Sequence, residues 1–158
     1  MIDRAAFIFW VGIALLAVSG CGGRMPDDLG VRGGVFQPCP ETPNCVSSFA
    51  MDVEHGIAAF EISGSSELAW QALEAELESR PRVELEKRRG DYLHAVFTSR
   101  LMRYRDDVEF HLNAEGDEIG IRSAARRGYS DMGVNRNRIE SIRAALARRG
   151  VVRAAPDA

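Results

Sequence analysis

The side chains best suited to chemistry lie in the second half of the chain. Ser99, Arg100, Asp106, Asp107, Glu109, Arg122, Ser123 and Arg126 are followed by Tyr129, Asp131, Asn135, Arg136 and Arg138. Hydroxyls, carboxylates and guanidiniums are the groups from which anion binding or ester hydrolysis is built. Hydrolysis at a serine needs a base, and His55, His94 and His111 are scattered, with no reason to join this group. Arginines near a helix N-terminus can instead hold an anion. The remaining reading, and the expected one, is a structural network of arginine–carboxylate and loop–backbone bonds, since such networks imitate functional sites.

The elements that must position these groups follow from periodicity. Ile57 to Ile62 reads as a first strand, and Ser65 or Ser66 caps a helix running to about Arg80. Trp70, Leu73 and Leu77 share one helix face, and Pro81 stops it. A four-strand meander comes next. Leu93, Ala95, Phe97 and Ser99 share a face, as do Val108, Phe110 and Leu112, and Ile119, Ile121 and Ser123. A two-residue turn at Glu115-Gly116 makes paired residue numbers sum to 231, which sets Glu109 opposite Arg122 as an exposed pair on the face away from the core. Asn135 then caps a closing helix carrying Ile139, Ile142 and Leu146. The expected fold is α+β: an antiparallel sheet of about five strands with two helices packed on one face. The meander brings the ends of two of its strands, near Ser99 and Ser123, together with the start of the intervening one near Asp106. The hydroxyls, carboxylates and arginines should therefore gather at one end of the sheet. The arginines from Arg122 to Arg153 make the last third of the chain basic, and the acids concentrate elsewhere.

The N-terminus speaks to compartment. Behind Arg4, the run Ala5 to Val18 is nearly all apolar, yet shorter than the roughly 20 residues of a bilayer-spanning helix. It ends in Val18-Ser19-Gly20-Cys21, which resembles a bacterial lipobox and implies cleavage before Cys21 and acylation there. Gly22 in place of aspartate favours the outer membrane if the host has one. Residues 1–20 are thus expected to be a signal peptide, 21–35 a flexible tether, 36–150 a single domain and 151–158 a loose tail. Cys39 and Cys45 could be a disulfide, a redox pair or two metal ligands. Outside the cytoplasm the bridge is expected, since C-x5-C is not a zinc spacing and no second pair follows. Neither a metal nor a cofactor is expected.

Composition narrows the rest. The chain has 158 residues, a net charge of −3, 46% apolar and 27% charged residues, and three cysteines. That suits one globular domain held by its core, and argues against a nucleic-acid partner. Three segments carry a family resemblance. They are Cys39-Pro40-Glu41-Thr42-Pro43-Asn44-Cys45-Val46-Ser47-Ser48; Tyr92 to Ala95 with Ser99 and Asp106 to Phe110; and Arg122 to Asp131 with Gly133 to Arg136, Arg138 and Glu140. Together they resemble the bacterial and plastid family called domain of unknown function 1499, from about Phe36 to Ala147. The resemblance implies no activity. Ala125 stands where the family pattern often has serine, so no nucleophilic hydroxyl is available at that position. The function expected is that of a cell-envelope lipoprotein carrying a binding or assembly domain, with no catalytic activity assigned. Its partners are the lipid bilayer, through acylated Cys21, and a small anionic molecule or an envelope protein. The alternative is an envelope enzyme acting on an anionic or ester substrate at the Ser/Arg/Asp cluster.

Overall fold

A computed structural model describes residues 23–154; Cys21, the apolar run before it and the last four residues lie outside them. The alternation seen in the sequence forms β5 (Val83–Arg89), β6 (Tyr92–Thr98), β7 (Arg105–Leu112) and β8 (Glu118–Ala125). These strands pair antiparallel in succession. Val108 faces Ser123, Phe110 faces Ile121 and Leu112 faces Ile119, the register in which numbers sum to 231. The turn itself is longer than two residues. The Asn113 amide donates to the Glu118 carbonyl at 3.0 Å, and Gly116, at φ 73°, donates to the Asn113 carbonyl. The added residues are symmetric about the turn, so the register survives.

The helices α1 (Ser66–Ser79) and α2 (Val134–Arg148) cover one face. Leu73, Leu77, Ile139, Ile142 and Leu146 pack there against Leu93, Ala95, Val108, Phe110, Ile119 and Ile121. Full burial of each such large side chain contributes about 1.5–3 kcal/mol. Ser65 caps α1, accepting from the Leu68 amide at 3.3 Å; Arg80, already extended ahead of Pro81, ends it. α2 starts differently from expectation. Its N-cap is Gly133 in the left-handed region, and the capping oxygens belong to Asp131, which accepts from the Gly133 and Asn135 amides at 3.0 and 2.7 Å. Asn135 lies inside the helix and is fully buried.

The main sheet is close to the expected five strands; it has six, because β3 (Cys45–Ser47) pairs with the outer side of β8, beside β4 (Phe60–Glu61). Three expectations need correction. The first strand, expected over Ile57 to Ile62, is pairing only at Phe60–Glu61, with Ile62 bridging to Val152. That bridge also corrects the loose tail: Val152 is buried, and the Ser63 and Arg153 amides donate to Val151 and Glu61 carbonyls, so the chain is held through Arg153. Finally, the segment read as a tether is laid on the sheet. Its β1 (Val31–Arg32) and β2 (Val35–Phe36) form a small hairpin, and Phe36 is buried edge-on against Phe49 and His111. A strap of residues 23–39 thereby covers the face of the sheet opposite the helices.

Candidate functional site

Strand alternation divides the expected cluster in two. Asp106 and Ser123 point to the helix side; Asp107, Glu109 and Arg122 point to the strap side. Under the strap, Asp107 is buried between Arg126 and His94. Arg126 Nε and Nη2 donate to its two oxygens at 2.7 and 2.8 Å, and His94 Nε2 lies 2.8 Å from Oδ1. Burial pushes the Asp107 carboxyl up, but the bonds from Arg126 and His94 outweigh it and hold the group below the usual carboxylate range. The same bond to Asp107 raises Arg126. Beside it, Glu109 Oε1 accepts from Tyr92 Oη at 2.8 Å and from the Gly30 amide of the strap at 2.6 Å, while Arg122 Nη1 donates to Oε2 at 3.2 Å. Burial and the adjacent Glu109 carboxylate push the Tyr92 phenol well up, so Tyr92 stays a donor. The Glu109–Arg122 pair was expected to be exposed; Glu109 is 1% exposed, and Arg122 Nε is buried with no partner among the described residues. The strap makes the difference.

On the helix side Ser123, fully buried, donates to Asn135 Oδ1 at 2.6 Å and accepts from Arg138 Nη1 at 3.1 Å. Arg138 also bonds Asn135 and reaches Asp106 at 2.5 Å, with its guanidinium 4.8 Å above the Phe97 ring. Asn135 Nδ2 donates to the Asn44 carbonyl, tying α2 to the start of β3. These bonds pair the Arg138 cation, which the Gly133 cap places just past the first turn of α2 rather than within it. The remaining residues stand apart. Ser99 Oγ accepts from the Tyr104 amide in an exposed loop, Arg100 and Tyr129 are exposed, and Arg136 donates to the Glu54 carbonyl. Ser99 and Ser123 share no site. One histidine, His94, does enter the carboxylate group, contrary to the expectation that none would, but beneath the strap and on the face away from Ser123.

A concavity of about 340 Å³ opens elsewhere, between the strap and the loop after β3. Its walls are mostly apolar: Val35, Phe36, Pro38, Phe49 and Ala50, with the Cys39–Cys45 disulfide at one side. Ser47, Asp52 and His55 supply the polar groups. His55 Nδ1 lies 2.8 Å from Asp52 Oδ1, which also accepts the His55 amide. That backbone bond, with the imidazole adding to it, holds Asp52 below its usual range. The Phe49 ring rests where a side chain on Gly120 would sit, 3.1 Å from the position of a Cβ, so glycine there lets the wall form. Sequence reasoning missed this pocket because one side is the irregular junction between the apparent tether and the domain, Val35 to Cys39, and the other an irregular loop.

The family model described as Protein of unknown function (DUF1499) matches residues 36–146, which takes in the disulfide, both buried clusters and α2 nearly to its end. The chain belongs to this family. No curated protein matches it. The DUF1499 match begins at Phe36, so the Gly30 contact that seals Glu109 is made by residues ahead of the matched region.

Within the DUF1499 domain the adjacent aspartates should respond oppositely to pH. Burial raises Asp106 despite the Arg138 guanidinium beside it. A raised carboxyl makes the folded state bind the extra proton, so its contribution falls as pH rises from 3.8 through the folded value. Asp106→Asn keeps an acceptor for Arg138 and does not ionise. Urea midpoints of the parent should therefore lose ground to Asp106→Asn between acid and neutral pH; parallel curves would contradict the raised ionisation.

Proposed function

We propose that the chain is a cell-envelope lipoprotein, acylated at Cys21, whose DUF1499 domain binds a small, largely apolar molecule carrying one polar end. The observation that carries the binding role is the pocket beside the disulfide, where aromatic and aliphatic walls meet a few fixed polar groups, the composition expected of small-molecule sites. The arginine–carboxylate groups, by contrast, are spent on one another. Val18-Ser19-Gly20-Cys21 supports the anchor, and a Cys39–Cys45 bridge suits an oxidising compartment. The domain then faces the periplasm or the cell exterior, with the outer membrane favoured by Gly22.

The neutral apolar fluorophore N-phenyl-1-naphthylamine tests the pocket. It should brighten on titration with the protein and saturate at a single site, and Ala50→Trp, which fills the cavity, should abolish the signal at unchanged melting temperature. Equal brightening with Ala50→Trp would exclude the pocket. Intact mass of chain extracted from membranes should show acyl groups on a polypeptide starting at Cys21.

A further inference from the structure

We propose that the end of the sheet formed by the 99–104 and 126–133 loops docks onto an anionic lipid bilayer, an inference that rests on acylation at Cys21. β6 finishes at Thr98, β7 begins at Arg105 and β8 finishes at Ala125, so both loops leave the same end. Their tips are apolar and unburied: Leu101 is 86% exposed, Tyr129 75% and Met132 92%, with Met102 and Tyr104 beside them. Arg103 and Met132 adopt positive φ, at 56° and 54°. Monomeric surfaces rarely gather so many large apolar side chains without a partner.

Two observations say what covers this end. The first is where the chain arrives. Gly23 is packed directly on the root of the second loop, so closely that an added Cβ would lie 2.9 Å from Arg126 Cβ. Cys21 is two residues upstream, and two residues span at most about 7 Å. An acyl chain there would hold this end, and no other, against the headgroups. The second is charge. Arg100, Arg103, Arg105 and Arg127 make no ion pair among the described residues, while the neighbouring acid, Asp131, is engaged in capping α2. Free guanidiniums around apolar tips match an interface in which apolar groups enter the acyl boundary and cations meet anionic headgroups.

The test places an indole at the end in question. Full chain carrying Leu101→Trp in a Trp10→Phe, Trp70→Phe background, so that the introduced indole is the sole tryptophan whether or not the N-terminal run is cleaved, is extracted from membranes and reconstituted in phosphatidylethanolamine–phosphatidylglycerol vesicles with brominated acyl chains. Its emission should shift to the blue and be quenched about twofold, as expected for a side chain reaching the acyl boundary. Leu68→Trp, also exposed but on α1, whose first residue Ser66 lies beside Gly116 in the β7–β8 turn at the opposite end of the sheet, should be unaffected. Adding Arg100→Glu and Arg103→Glu should remove the quenching at Leu101→Trp without changing the melting temperature. Mass spectrometry on the same samples reads the anchor separately. Acyl chains with unquenched emission at Leu101→Trp overturn the docking surface and keep the lipoprotein reading. Quenching without acyl chains overturns the anchor and keeps the surface.

Discussion

Asp107→Asn should lower the unfolding free energy by about 3–5 kcal/mol. The Arg126 side chain is 2% exposed and the Asp107 side chain 1%, so the change strands a cation with no water to take over from the carboxylate. Asparagine offers one acceptor oxygen in place of two, and its amide would face the donors of Arg126 and His94. Removing both charges, with Arg126→Met in the same chain, should recover much of the loss, because the penalty comes from the unpaired ion more than from the missing bond. The effect depends on pH. A depressed carboxyl stabilises the fold above its unfolded value of 3.8, and that margin disappears as pH falls through the folded one. Parent and variant should therefore converge on acidification. Chemical unfolding at several pH values checks this, and a neutral-pH difference below about 1 kcal/mol would place the pair with exposed ion pairs instead.

Glu109→Ala should cost a comparable amount, about 3 kcal/mol or more, by removing the acceptor for Tyr92, Gly30 and Arg122 together. Its signature is local as well as global. Arg122, already with one buried nitrogen that has no partner among the described residues, would be left without its carboxylate. The strap would lose its hydrogen bond to the middle of the sheet. Hydrogen exchange should then accelerate across residues 23–36 before it does so in β6 to β8, and trypsin should cut after Arg32. Asp107→Asn, at matched global stability, should leave that segment protected. Identical exchange in the two variants would show that Glu109 does not hold the strap.

The meander and the register of its last pair were legible because alternation and one turn determine them. Once Val108 and Ile121 share a face, pairing by the 231 sum fixes β7 against β8, whereas β6 pairs with β7 at a sum of 203 across a loop that has no such turn signal. The same parity contains a signal that went unread. Odd-numbered Asp107 and Glu109 lie opposite even-numbered Asp106, and His94, between core residues Leu93 and Ala95, must join the odd group. Grouping the polar residues by sheet end alone merged two sites on different faces. The strap was not legible for another reason. Gly30, Gly33 and Gly34 all take positive φ, and a run of glycines serves a free linker and a tightly turning hairpin equally well. Only Phe36 marks the difference, and one buried aromatic is a thin pattern. β3 escaped because it is three residues long and enters directly from a cysteine–proline loop. What lies over a sheet face depends on contacts across some eighty positions, such as Gly30 to Glu109, and no local period records them.

The strap has a mechanical consequence. A pull on the N-terminus is delivered first to residues 23–39, and these can peel from the sheet one contact at a time. Their 17 residues pay out at most about 60 Å of slack. At Cys39 the load then crosses the disulfide directly into Cys45, bypassing the loop between them, and meets β3. From there extension requires stripping β3 from β8, at the sheet rather than on its cover. Under load the strap would therefore extend before the sheet does, and the bridge would pass the force to β3 rather than to the loop between Cys39 and Cys45.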